Sequence, residues 1–252
     1  MSNSSNTLRV AVLGAAGRMG TAVCEAVEPA SDLDLVARYD AGDDPAALAG
    51  VADVAVDFTV PSAAEDNVHA LIDAGVHAVV GTTGWQEDSL GRVREHLDRA
   101  GGNTGVLIAP NFALSAVLAM RLSAQVARFF ESVEVIELHH PNKADAPSGT
   151  AVHTAQNIAA ARQGMPAVPD ATETSLDGAR GATVDGIHVH SVRLRGLVAH
   201  EEVLLGNPGE QLTIRTDSFD RSSFMPGVLI GVRSVPQHPG LQVGLDSVLD
   251  LD

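Results

Sequence analysis

Residues 8–20 read "LRVAVLGAAGRMG". A valine-rich apolar run meets three glycines, Gly14, Gly17 and Gly20, spaced G-x-x-G-x-x-G, and a helical pattern follows from about Arg18 to Val27. A strand that opens into a glycine turn and then a helix lets backbone N–H groups approach a pyrophosphate, which sits at the positive end of the helix dipole. Ala15, Ala16, Arg18 and Met19 fill the loop between the glycines. The spacing is a variant of the dinucleotide fingerprint and a weak signal alone, because many strand-to-helix junctions are glycine-rich. The next strand, "LDLVARYD" (33–40), supplies a test of context: it ends in Asp40, ~20 residues beyond the last glycine, where a carboxylate accepts both ribose hydroxyls. NADH and/or NADPH is therefore the expected cofactor of residues 14–20 and Asp40. Arg18 has two readings, a guanidinium that meets an adenosine 2′-phosphate or a solvated side chain at the helix start.

The same rhythm continues outward. "VADVAVDFT" (51–59) precedes a helix opened by Pro61 and stopped at Gly75. "VHAVVGTTG" (76–84) precedes a helix over "EDSLGRVREHLDRA", and "TGVLIAPNF" (104–112) is the last strand of the series. Strands alternating with helices predict an α/β fold, a Rossmann-like doubly wound parallel sheet. Ligands of such sheets bind beyond the carboxyl ends of the strands. Gly81, Thr82 and Thr83 of "GTTG", and Ala109, Pro110, Asn111 and Phe112 of "APNF", stand just past strand ends and extend the expected cofactor cleft.

After Phe112 the pattern changes. A long helix over "ALSAVLAMRLSAQVARFFE", the strand "VEVIELHH" and the helix "SGTAVHTAQNIAAARQG" come first. An irregular loop over residues 164–186 follows, then two strand-like runs, "IHVHSVRLRGLVAHEEVLLG" and "EQLTIRTDSF". These predict an α+β domain with a mixed sheet, and the closing "DRSSFMPGVLIGVRSV" reads as a helix able to return to the first domain. The expected division is 1–112 with 220–252 for dinucleotide binding, and 113–219 for substrate binding and oligomerisation.

Composition narrows the classes. The chain has 252 residues, 45% of them hydrophobic, and carries a net charge of −16, which argues against nucleic acid or an anionic membrane as partner. No uninterrupted apolar run reaches the ~18 residues of a membrane span. The leader "MSNSSNT" has no basic residue, and the apolar run after it belongs to the glycine loop, so a cytoplasmic protein is expected. Cys24 is the single cysteine, which excludes an internal disulfide and a Cys-rich zinc site.

Against this acidic background, residues 137–150, "ELHHPNKADAPSGT", gather two histidines, a lysine and a helix start. Pro141 takes the chain out of the strand, and the segment from Lys143 curls toward Ser148, Gly149 and Thr150. Backbone N–H groups at a helix start suit a carboxylate; an ammonium and an imidazole beside them add charge and a proton donor. A small anion that is protonated during reaction fits this set. No metal is expected, since there is no H-E-x-x-H and no cysteine partner.

"GAAGRMG", "DFT", "VVGTTGW", "APNF" and above all "ELHHPNKADAPSGT" resemble the dihydrodipicolinate reductase family, in the family's order and over nearly the whole chain. The resemblance implies NADH- or NADPH-dependent reduction of a cyclic unsaturated dicarboxylate on the diaminopimelate and lysine route. It implies His139 as proton donor, Lys143 as a second catalytic cation beside the ring nitrogen and a carboxylate, and His140, Ser148, Gly149 and Thr150 as the substrate clamp. Phe58 of "DFT" joins the cofactor set, and a homotetramer is implied. Two departures stand out: Ala41 follows Asp40 where some members have an arginine, and Asn142 replaces a longer basic or imidazole side chain. A homoserine- or aspartate-type dehydrogenase and a non-enzymatic dinucleotide sensor are the competing readings.

Overall fold

The structure is a computed structural model that describes residues 7–249. In the first part of the chain β1 (Leu8–Leu13), β2 (Leu33–Tyr39), β3 (Val54–Asp57), β4 (His77–Val80) and β5 (Gly105–Ile108) alternate with α1 (Arg18–Val27), α2 (Pro61–Asp73) and α3 (Glu87–Arg99). The strands form one parallel sheet in the order β5-β4-β3-β1-β2. All residues of β3 and β5 are buried, as strands covered on both faces must be, which is why they read as continuous apolar runs. The short segment Gly240–Val243 extends the sheet as a sixth strand beside β5. Its four residues, "GLQV", are too few and too mixed to declare a strand in sequence.

The helix near the chain end does return to this sheet. It spans Met225–Ser234, and two glycines one turn apart let it approach. A Cβ on Gly227 would lie 2.1 Å from the carbonyl oxygen of Phe112, and one on Gly231 would lie 2.9 Å from a methyl of Leu107. By contact density the chain divides into two compact units, with the boundaries after Leu114 and after Asp220.

The second unit carries α4 (Leu114–Ala127), β6 (Ser132–His139), α5 (Gly149–Ala161), β7 (Ala182–Val184), β8 (Ile187–Arg193), β9 (Ala199–Asn207) and β10 (Glu210–Ser218). Its sheet is mixed, ordered β10-β9-β6-β8-β7, and only β6 and β8 run parallel. Residues 187–206, which read as one run, are two strands. Gly196 adopts φ +94°, where a side chain is strained, and the Leu197 N–H closes a turn on the Leu194 carbonyl at 3.3 Å. His139 pairs with Arg193 on one side and Ala199 on the other. The turn between β8 and β9 therefore passes across the carboxyl end of β6. Val133, Val135, Val189, Val203 and Leu205 form the buried face, packed with Ala151, Ala155 and Ile158 of α5. The segment 164–186 is mostly irregular, as its composition predicts, though Ala182–Val184 adds an edge strand and Arg180 pairs with Asp170 and Glu134.

Among the described residues no helix is long and apolar enough to cross a membrane.

Candidate active site

The nucleotide-binding candidates surround the carboxyl end of β1. Gly14 has φ +78°, and its N–H and that of Ala15 both donate to the Tyr39 carbonyl, at 2.8 and 3.1 Å. A Cβ on Gly20 would lie 2.0 Å from the Gly14 oxygen, so the loop closes this tightly only with glycine there. Gly17 caps α1 without a side-chain hydrogen bond, and no acidic residue occupies the first turn. The helix therefore keeps its positive end for an anion. Arg18 is exposed at the first helical position, Met19 is half-buried, and Ala16 and Gly17 are exposed.

Asp40 lies beside this loop and accepts the Ala16 N–H at 3.0 and 3.2 Å. The pocket next to it is lined by Ala15, Ala16, Thr21, Arg38 and Asp40, among others. Arg38 was not singled out in the sequence. It lies in β2, two residues before Asp40, and is paired with Glu28.

Further along the strand ends, the Phe58 ring fills the space a side chain at Gly81 would need, with Cε1 2.0 Å from such a Cβ. The same ring meets Phe112 with centroids 5.9 Å apart. Thr82 is buried and its hydroxyl donates to Asp57 at 2.9 Å, so its side chain serves the protein interior. Thr83 is exposed. Ala109 is buried, Pro110 is exposed, and the Asn111 carboxamide oxygen accepts the Ala113 N–H at 2.8 Å.

In the second unit His139 is the last residue of β6. Glu137 lies two residues earlier, on the same face, and is fully buried. His139 Nδ1 is 2.6 Å from Glu137 Oε2. Arg193 clamps both Glu137 oxygens at 2.7 Å, and the Ser148 N–H adds a bond to Oε1 at 3.1 Å. Burial alone would raise the Glu137 carboxyl, but hydrogen bonds from Arg193, Ser191 and His139 outweigh it and hold the group at about 2. The His139 imidazole is pulled down by burial, drawn back up by Glu137, and lowered again by the charges of Lys143 and Arg193.

Lys143 Nζ lies 2.6 Å from Asp145, whose second oxygen accepts the Gly149 N–H at 3.2 Å. An ammonium and a helix-start N–H thus already share one carboxylate. Ser148 is buried, and its hydroxyl caps α5 by accepting the Ala151 N–H at 3.2 Å. Both its N–H and its Oγ are spent inside the protein. His140 is exposed just past the strand, and Thr150 is half-buried in the first turn of α5.

Glu201 of β9 stands opposite Glu137 in register. It accepts the Thr154 hydroxyl at 2.7 Å. Its carboxyl is pushed up to about 7, first by burial and also by the Glu137 charge, with the Thr154 bond opposing.

Sequence reading found the histidine and lysine but not Glu137, Arg193 or Asp145. The available signal for Glu137 was a carboxylate at i−2 on the histidine's own strand face. Arg193 is brought in only by the pairing of β8 with β6. Among the described residues, no cluster of three or more His, Cys, Asp or Glu is arranged to hold a metal ion.

Comparison with known proteins covers both units. The chain is 69% identical over 247 residues to a 4-hydroxy-tetrahydrodipicolinate reductase of Beutenbergia cavernae, covering 97% of this chain and 100% of that one. It is 58% identical to the Corynebacterium diphtheriae protein of the same name, covering 97% and 99%. A solved dihydrodipicolinate reductase from Paenisporosarcina, with dipicolinate bound, superposes with TM-score 0.88 at 34% identity over 96% of this chain and 100% of that one. A diaminopimelate dehydrogenase from C. glutamicum, at 12% identity and TM-score 0.56 over 98% of this chain and 97% of that one, shares the fold alone. Residues 8–112 match the family described as "Dihydrodipicolinate reductase, N-terminus" and residues 115–249 its C-terminal counterpart, so the chain belongs to the dihydrodipicolinate reductase family.

Proposed function

We propose a division of labour for the family's reaction, the NAD(P)H-dependent reduction of 4-hydroxy-tetrahydrodipicolinate to tetrahydrodipicolinate in diaminopimelate and lysine biosynthesis. The dinucleotide, when bound, supplies the hydride. The loop fits that group: glycine at 14 and 20 lets it close tightly at the end of β1, the α1 N-terminus has no competing acid, and Asp40 lies beside the loop as an acceptor for a ribose. Phe58, Gly81, Thr83 and residues 109–112 wall the nicotinamide end.

The observation that carries the chemistry is the Glu137–His139 pair. Glu137, fixed by Arg193 and the α5 N-terminus, holds His139 Nδ1 and leaves Nε2 as the proton-delivering edge. Burial and the charges of Lys143 and Arg193 leave the His139 imidazole below its ordinary value despite Glu137, so once protonated at Nε2 it gives that proton up readily. Loss of the 4-hydroxyl as water leaves a conjugated imine, and hydride addition to it pushes electron density toward the ring nitrogen and adjacent carbons. His139 then delivers a proton at carbon, while the Lys143 ammonium stabilises the nitrogen and a neighbouring carboxylate. Lys143 and the Gly149 N–H hold a substrate carboxylate with the donors that now hold Asp145. His140 and Thr150 complete the clamp, and Ser148 serves it by capping the helix.

Since Ala41 follows Asp40, NADH serves at least as well as NADPH, with Arg18 and Arg38 the cations nearest an added 2′-phosphate. The chain works in the cytoplasm as a homotetramer through the open face of the second sheet, where Ile136, Leu138, Val192 and Leu204 are half-buried.

The test is nicotinamide oxidation with substrate made in situ from pyruvate and aspartate semialdehyde by the preceding enzyme. Turnover by the wild type and its loss in His139→Gln is the expected result. Normal turnover in the variant overturns the role of His139.

A further inference from the structure

Asp57 ends β3 with no exposed surface, and no part of the mechanism above uses it. A buried carboxylate is costly unless its lone pairs are filled, and the groups that fill these come from three different places. Oδ1 accepts the Thr59 N–H at 2.8 Å, the Thr59 hydroxyl at 2.7 Å and the Thr82 hydroxyl at 2.9 Å. Oδ2 accepts Nδ2 of Asn67, on α2, at 2.8 Å. The Asp57 backbone carbonyl also takes the Gly81 N–H at 2.9 Å. One carboxylate thus ties the turn after β3 to the loop after β4 and to α2.

Phe58, between Asp57 and Thr59, transmits this. Its N–H donates to Leu13 at 3.1 Å, and its carbonyl oxygen lies 2.8 Å from where a Gly14 Cβ would be. Its ring occupies the space left by Gly81 and faces Phe112. The residue whose two neighbours are pinned by the Asp57 carboxylate therefore touches the first glycine loop, the second glycine loop and the residues after β5.

We propose that Asp57 is the positioning residue for the nicotinamide end of the cofactor site, acting through Phe58, Thr59 and Thr82. The inference rests on the reading that these strand ends hold the dinucleotide. Asp57 touches no ligand in this role. It fixes the distance between the two glycine loops, and so whether one extended molecule can lie along both.

Asn67 offers a probe outside the binding residues. Asn67→Asp places a second carboxylate against Asp57, and two carboxylates so close cannot both ionise. Asp57→Asn alone is mild, because the Asn67 amide can turn over and present its oxygen. In the double variant the amide and the carboxylate have changed places, and the bond is remade with its direction reversed. NADH binding is followed by fluorescence, dipicolinate binding by calorimetry, and unfolding by thermal melts. The Asn67→Asp variant is expected to bind NADH about tenfold more weakly or worse, at unchanged dipicolinate affinity. The double variant is expected to return to within about threefold of wild type, a coupling of the size contacting residues show.

Should Asn67→Asp fail to fold, Asn67→Ala removes the bond to Oδ2 and the longer one to the Thr59 hydroxyl, and a loss of about threefold in NADH affinity is expected. Unchanged NADH affinity in a folded Asn67→Asp or Asn67→Ala protein overturns the proposal. Equal loss of NADH and dipicolinate binding, with a lowered melt that the double variant does not restore, overturns it in favour of a purely structural role. A wild type that binds no NADH overturns the dinucleotide reading instead.

Discussion

The glycine loops of the first unit and the β6–α5 segment of the second are built by opposite means. The first works by subtraction: Gly14 and Gly20 lack the side chains that would collide with Phe58 and with the loop itself, so the loop closes on its own backbone hydrogen bonds. The second works by accumulation, with Glu137, His139, Lys143, Asp145 and Arg193 bonded to one another in a chain with a net charge of −16. A loop made by subtraction is sensitive to any added atom. A cluster made by accumulation is sensitive to any lost partner.

The largest expected effect tests the second kind. His139→Gln should lower kcat by roughly 10²–10⁴-fold, the usual cost of a lost general acid, with little change in substrate KM and intact NADH binding. Steady-state kinetics with a separate fluorescence titration check this. Glu137→Ala comes next. It leaves Arg193 and His139 facing an empty space and should cost about 3–5 kcal/mol of stability, read by denaturant unfolding.

The same carboxylate makes a pH prediction. Its folded value of about 2 lies below the ordinary 4.5. Its contribution is therefore present above about 4.5 and is lost as pH falls from there toward about 2. That difference corresponds to stability on the order of 3 kcal/mol. Acid unfolding followed from pH 6 downward should be steeper in the wild type than in Glu137→Gln; equal slopes would remove Glu137 from the account.

Smaller effects probe the loop. Gly20→Ala forces a Cβ to within 2.0 Å of the Gly14 oxygen and should weaken NADH binding by about 1–3 kcal/mol. Dipicolinate binding should not move, and if both ligands weaken equally the contrast between the two regions fails. Asp40→Ala should cost about 1 kcal/mol in binding of NADH and less in that of NADPH, compared through their KM values.

The two regions also differed in how far the sequence disclosed them. Gly14, Gly17 and Gly20 are contiguous, and their spacing carries its own meaning, so the parallel sheet and its loop were both legible. His139 and Lys143 stood out because basic residues are scarce in this chain. Glu137 did not, since a glutamate in a strand reads as a solvent-facing residue until the sheet buries it. Arg193 lies 56 residues from Glu137 along the chain, and only strand pairing brings them together. The break at Gly196 was hidden for a related reason: two apolar-rich strands joined by a short turn look like one run. Ser148 was recognised at the helix start, but its buried hydroxyl and N–H belong to the cap and to Glu137.

The cross-strand glutamates, Glu137 and Glu201, carry a consequence for how the second sheet assembles. Side chains alternate along a strand, so a slip of one residue turns every one to the opposite face. If β9 slipped by one against β6, Glu201 would leave Thr154, and His200 would take its place beside Glu137. If β8 slipped, the buried Glu137 would lose the guanidinium of Arg193 that holds both its oxygens, which costs several kcal/mol. Neighbouring valines would tolerate a shift far better than these paired polar groups do. The charged groups around His139 thus also favour one alignment of the strands over its neighbours.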